Sequence, residues 1–167
     1  MLSPIIRARL TNALGGLPAV LDALLSTIQP QSTRWNFRTA PDRFTLREVL
    51  AHLADYDDIW NEYLTAVLRD DDPVFVPRSP DTLSVENDYA HSDPAVSLGR
   101  LRKSRPALAA MADALTDAQW VRSGTHVRLG RLSAETLCVT IVAHDGYHTR
   151  QIAEYVTASS HATDDAT

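Results

Sequence analysis

The residues best placed to do chemistry are His144 and His148, in the run His144-Asp145-Gly146-Tyr147-His148. Helical positions i and i+4 lie one turn apart on the same side. Two imidazoles so placed can reach one divalent ion, each at ~2.0–2.1 Å. Leu137, Ile141, His144, His148, Ile152 and Tyr155 form a continuous helical stripe, so both histidines are expected to face a core. Imidazoles in apolar surroundings need partners for their ring nitrogens. A shared metal supplies them; hydrogen bonds to neighbours at a helix edge are the alternative. His52, in Ala51-His52-Leu53-Ala54-Asp55-Tyr56, falls near the edge of a second apolar face made by Val49, Tyr56 and Tyr63. A third imidazole from a second helix would complete a facial three-histidine site with positions left for water or substrate.

Other polar residues sit near these stripes. Arg105 falls close to the line of Leu98, Leu101 and Leu108. A buried guanidinium needs a carboxylate or an anionic ligand, which makes Arg105 a candidate substrate-binding residue unless Pro106 turns it to solvent. Gln151 lies at the edge of the last stripe, as a second candidate for binding substrate or as a packing amide. Asp55 and Asp145 are candidates for fixing imidazole tautomers, or are surface carboxylates. His126, in a loop beside basic residues, is expected to anchor that loop rather than to serve as a fourth ligand. Cys138 is expected to be a small core residue, and His91 and His161 surface residues.

These groups must be held by helices. Leu10, Leu14, Leu17, Leu21, Leu24 and Ile28 predict a helix from about Pro4 to Ile28, kinked near Gly15, Gly16 and Pro18. Thr45-Leu46-Arg47-Glu48 has capping-box spacing and opens a second helix. That helix has Val49, Leu53, Tyr56, Trp60, Tyr63 and Val67 on one face and ends at Asp70-Asp71-Asp72-Pro73. Residues 73–92 read as an extended crossover. Asp93-Pro94 starts a third helix, with a bend expected at Pro106. Residues 116–132 read as a loop with a short turn near Trp120. A last helix follows Ser133 and reaches about Ser159. No convincing alternation of strands is visible. The expected fold is all-α: a four-helix bundle with a long crossover connection between its second and third helices. It occupies residues 1–160 as one domain, ahead of a polar tail at 161–167.

Composition bounds the rest. The chain has 167 residues, with 16 Lys and Arg against 21 Asp and Glu, for a net charge of −5. Such a balance gives no strong nucleic-acid signal. One cysteine excludes an intramolecular disulfide framework and a cysteine-based zinc finger. No apolar run approaches the ~20 residues needed to span a bilayer. Polar residues, glycines and Pro18 interrupt the stretch after Arg7 and Arg9, so the expected location is cytoplasmic.

His52-Leu53-Ala54-Asp55-Tyr56-Asp57 after a capped helix start, combined with His144-Asp145-Gly146-Tyr147-His148-Thr149-Arg150-Gln151-Ile152, resembles the DinB-like (DinB/YfiT) superfamily over residues 5–158. Phe44-Thr45 stands where many relatives have Trp-Ser, with aromatic and cap both preserved. The resemblance implies a four-helix bundle with a crossover connection. It also implies a divalent metal of zinc, nickel or iron type on His52, His144 and His148. Some relatives are thiol-dependent transferases or isomerases; others are regarded as metal-dependent hydrolases. The implied function is a metal-dependent enzyme that activates water or a low-molecular-weight thiol against a small-molecule substrate, as a homodimer. Trp60 and Tyr63 are candidates for extending a face beyond the core toward a partner, and core packing explains them equally well. The alternative is a non-catalytic metal- or ligand-binding module of a stress response.

Overall fold

The computed structural model describes residues 2–164, with side chains described through residue 160. Four long helices build the bundle: α1 (Pro4–Leu25), α2 (Leu46–Arg69), α4 (Pro94–Asp113) and α6 (Ala134–Asp164). Two short helices, α3 (Pro80–Glu86) and α5 (Asp117–Trp120), lie in the connections. α1 packs chiefly on α4 and α6, and α2 packs on the same two helices. α1 and α2 therefore occupy opposite corners, and α2 shares a wall with α6.

Local chemistry explains the helix starts. Glu48 accepts a 2.6 Å hydrogen bond from the Thr45 backbone N–H at the head of α2. Asp93 accepts from the Ala95 N–H at 2.8 Å, and Pro94 occupies the first turn of α4. Ser3 and Pro4 play the same parts at α1. The predicted stripes form the core: Leu14, Leu21, Leu50, Leu53, Leu101, Leu108, Leu137, Ile141 and Ile152 are fully buried. Each such side chain contributes at most roughly 1.5–3 kcal/mol.

Several boundaries differ from the sequence expectation. α1 stops at Leu25, although Ile28 beyond it is still buried. α1 and α4 remain continuous helices across Pro18 and Pro106. α6 runs past Ser159 to Asp164, into the expected tail. Arg34 grips this end through the Val156 carbonyl and the hydroxyls of Ser159 and Ser160. Residues 165–167 and the His161 side chain lie outside the described residues.

The two long connections are also more ordered than expected. They form a three-stranded sheet in the order β1 (Val74–Phe75), β2 (Ser123–His126), β3 (Gly130–Ser133). β1 runs parallel to β2, pairing Phe75 with His126, and β2 and β3 form an antiparallel hairpin. Gly124 permits the β1–β2 contact: a Cβ there would fall 2.5 Å from the Pro73 carbonyl oxygen and 2.6 Å from the Phe75 ring. Gly130, at φ +75°, closes the hairpin in a conformation that glycine adopts without strain. Strands this short carry no readable periodicity, which is why the sequence shows only loops there.

Candidate metal centre

α2 and α6 bring His52, His144 and His148 together. One ring nitrogen from each lies within 4.8 Å of the other two. His52 Nε2 and His144 Nε2 are 3.1 Å apart. Two ligands bound to one ion at ~2.0–2.1 Å have nitrogens roughly 2.9–3.4 Å apart, so this spacing fits a shared metal. The Nδ1 atoms of His52 and His144 are buried and lack hydrogen-bond partners, so no hydrogen bond at Nδ1 holds either ring.

His148 is held differently. Its Nδ1 lies 2.9 Å from Gln151 Oε1, and Gln151 Nε2 donates to the Tyr155 hydroxyl at 2.9 Å. With the amide oxygen turned to the ring, Nδ1 carries the proton and the Nε2 lone pair is left for a ligand. Gln151 therefore positions His148. Its expected role in binding substrate is not what its contacts describe.

Burial keeps all three imidazoles neutral. It lowers His52 to about 3, with help from His148, and lowers His144 to about 2, with help from His148, His52 and Arg105. Burial also lowers His148, against the opposing effect of its bond to Gln151. Neutral imidazole is the form that binds metal.

An aromatic wall lines the site. Tyr56 lies face to face with His144, at 5.2 Å between centroids and 20° between planes, and 4.4 Å from His52. Phe44 packs on His52, and Trp60 meets His144 at 6.2 Å and 72°. Tyr56 and Tyr63 donate their hydroxyl protons to the carbonyls of Arg78 and Val76, tying the segment after β1 to this wall. Trp60 and Tyr63 are buried in the core, so neither extends a face outward as expected for a dimer contact. Spacing marks the α2 stripe, but only the fold shows that it flanks the histidines.

The other candidates are taken up by partners within the chain. Arg105 is fully buried, so Pro106 does not turn it outward. Its guanidinium makes two bonds to Asp145, at 2.6 and 2.8 Å, and its Nε lies 2.5 Å from Asp57. Both fork positions and Nε are thus taken by carboxylates, and the expected substrate-binding role for Arg105 is corrected to a clamp joining α4, α2 and α6. Ser104 donates to the other oxygen of Asp57. Burial, the dominant cause, pushes Asp57 and Asp145 upward against the pull of Arg105.

Asp145 is accordingly not hydrogen-bonded to an imidazole, and neither is Asp55. Asp55 receives Arg100 at 2.7 Å, Asn87 at 2.7 Å and the Tyr89 hydroxyl at 2.7 Å. It fastens the segment around α3 to α2 instead of fixing a tautomer. Asp57, Tyr89 and Arg100 are residues that sequence reasoning missed, because their partners lie 34–48 positions away in the chain.

His126 Nδ1 accepts the backbone N–H groups of Arg128 and Leu129 at 3.2 and 3.0 Å, anchoring the β2–β3 turn. Cys138 is buried, with its thiol pushed up to about 12, chiefly by burial. No helix among the described residues is long and apolar enough to cross a membrane.

No curated protein matches the chain. The solved structure of YfiT from Bacillus subtilis, described as a probable metal-dependent hydrolase with an unusual four-helix bundle topology, superposes with a TM-score of 0.88 at 22% identity. The match covers 96% of this chain and 91% of that one, and establishes a shared fold. The sequence pattern of the DinB superfamily matches residues 13–152, which include all three histidines, the whole of α2 and the part of α6 that carries His144 and His148. The chain is a member of the DinB superfamily.

Proposed function

We propose that the chain is a divalent-metal-dependent enzyme in which His52, His144 and His148 hold the ion. The observation that supports this best is the convergence of three neutral imidazoles within 4.8 Å, one aligned by Gln151. When bound, the ion supplies an electrophilic centre that acidifies water or a thiol. The chain's own residues hold the imidazoles in their ligand form, exclude bulk water with Tyr56, Trp60 and Phe44, and fix the sheet that borders the wall. Cys138 is buried and kept protonated, so the nucleophile comes from outside: water, or a low-molecular-weight thiol. The described relative favours hydrolysis as the reaction class, and an external thiol remains compatible with the same centre.

Tag-free protein should contain one zinc, nickel or iron-type ion per chain by elemental analysis, and His52→Ala, His144→Ala and His148→Ala should each lose it. Full occupancy in His148→Ala would overturn the assignment. We also infer a homodimer acting on a small molecule. An apolar groove between α1 and α6, with exposed Val20 beside Leu24, Val142 and Ala153, supports association. Light scattering that shows a monomer throughout the micromolar range would remove that inference.

A further inference from the structure

An imidazole ligand needs its ring plane held as well as its backbone placed. The χ2 torsion that turns the ring is broad and two-fold, with no deep staggered well, so a partner must fix it. The usual partner is a hydrogen bond at the ring nitrogen that faces away from the metal. His148 has one, between its Nδ1 and Gln151 Oε1 at 2.9 Å. The Nδ1 atoms of His52 and His144 are buried and have none. Two of the three rings are therefore held by something else.

Tyr56 stands where that restraint is missing. It follows His52 by four residues, one turn along α2, the helix that shares a wall with α6. Its ring centroid is 4.4 Å from that of His52, with 42° between planes, and 5.2 Å from that of His144, with 20° between planes. Turning the His144 imidazole out of that near-parallel stack would drive its edge into the tyrosine face. Phe44 meets His52 at 5.8 Å, and Trp60 meets His144 at 6.2 Å. Apart from the histidines themselves, Tyr56 is the one ring among the described residues in contact with both.

Tyr56 is itself held in place. Its hydroxyl donates to the Arg78 carbonyl at 2.9 Å, and its ring meets that of Trp60 at 5.9 Å and 60°. It is only half-buried, whereas Leu50 and Leu53 on the same helix are fully buried. Tyr56 thus spends its contacts on the two ligands more than on the core.

We propose that Tyr56 is a positioning residue of the metal centre, whose ring face replaces the missing hydrogen bonds and sets the planes of His52 and His144. Those planes bring the two Nε2 atoms to 3.1 Å from each other, the spacing that suits one shared ion. The inference rests on the metal reading above, and it makes the ring, not the hydroxyl, the part that acts.

The test uses the tag-free full chain with cobalt(II). Affinity is read by competition with a chromogenic chelator, and the coordination sphere by the visible absorption of the bound ion. Tyr56→Leu, which fills much of the same volume without a flat face, and Tyr56→Ala should each bind cobalt at least about tenfold more weakly. Both should show changed visible bands and keep wild-type helicity by circular dichroism. Tyr56→Phe keeps the face and should restore both the affinity and the bands. Wild-type affinity and bands in Tyr56→Leu overturn the role of Tyr56 and leave the metal reading standing. So does a Tyr56→Phe that falls as far as Tyr56→Leu, since the hydroxyl would then be the part that acts. If Tyr56→Ala unfolds, Tyr56→Leu carries the test, and loss of the fold in Tyr56→Leu makes Tyr56 a core residue and overturns the proposal. Wild type that binds no cobalt overturns the metal reading and this inference with it.

Discussion

Arg105→Met tests the clamp behind the histidines. Arg105, Asp57 and Asp145 are almost wholly shielded from water, and the guanidinium approaches its partners at 2.5–2.8 Å. At an effective dielectric of about 20, a pair near 2.7 Å has a gross attraction of roughly 6 kcal/mol. The loss on substitution is capped lower, because a stranded carboxylate can take up a proton instead. For an ordinary value of 3.8, protonation costs about 4 kcal/mol at pH near 7 and about 1.6 kcal/mol at pH near 5. The first carboxylate stranded should therefore cost about 4 kcal/mol at neutrality, within the range of about 3–5 kcal/mol for breaking a buried ion pair.

The sign with pH follows from the same quantity. In the variant, each native carboxyl titrates above its unfolded value, so the folded state binds more protons between the two. Stability then falls as pH rises through that window and is greatest below 3.8. Urea unfolding of wild type and variant at both pH values is the assay. The deficit should shrink by about 2–3 kcal/mol per carboxylate on moving from near pH 7 to near pH 5. A deficit below about 1 kcal/mol, or one indifferent to pH, would show that the clamp is solvated and refute the reasoning.

Gln151→Leu should lower metal affinity by about 10–100-fold while leaving helicity intact, by competition with a chromogenic chelator; unchanged affinity would show that His148 needs no positioning. Metal-free protein should lose stability as pH falls below 6.5 toward about 3, because His52 and His144 titrate lower in the folded chain than in the unfolded one; a flat urea midpoint across that range would contradict their burial. Cys138 should resist thiol reagents until the chain is denatured, since its thiol is buried and pushed up to about 12; prompt labelling of native protein would refute this. Gly124→Ala should destabilise the chain by about 1–3 kcal/mol through the clash with Pro73 and Phe75, read as a lowered midpoint; an unchanged midpoint would mean that β1 is not held against β2.

The bundle and the histidine cluster were legible because both rest on local periodicity. The i, i+4 pair shares a stripe with Leu137, Ile141, Ile152 and Tyr155, so the hydrophobic face that builds α6 also aims its imidazoles. The fates of Arg105, Asp55 and Asp145 were not legible in this way. The stripe of α4 puts Arg105 near the core, where a guanidinium needs an anion, but one partner, Asp145, lies 40 residues along the chain and the other, Asp57, is on α2. Asp57 sits two residues after Asp55 in the same acidic run. Only the helix rotation, set by packing on α4, sends one to Arg105 and the other to Arg100. The sheet is not legible for another reason: β1 pairs across 51 residues, as between Val74 and Thr125, and the β2–β3 hairpin, though local, is too short to show an alternation.

The arrangement separates the work of holding the bundle from the work of the site. On one side of the histidines, Arg105 ties α4 to α2 and α6 through Asp57 and Asp145, fixing the two helices whose imidazoles converge. On the other side, the wall is aromatic and the sheet that borders it is only a few residues wide. Fully buried leucines lie along all four long helices, and apolar burial on that scale stabilises a bundle without an ion. A small zinc domain has no such reserve, and its metal binding and folding are one event. Here the imidazoles are held by packing before any ion arrives. Their buried, neutral state is then a standing cost in the empty chain, which a bound divalent ion relieves.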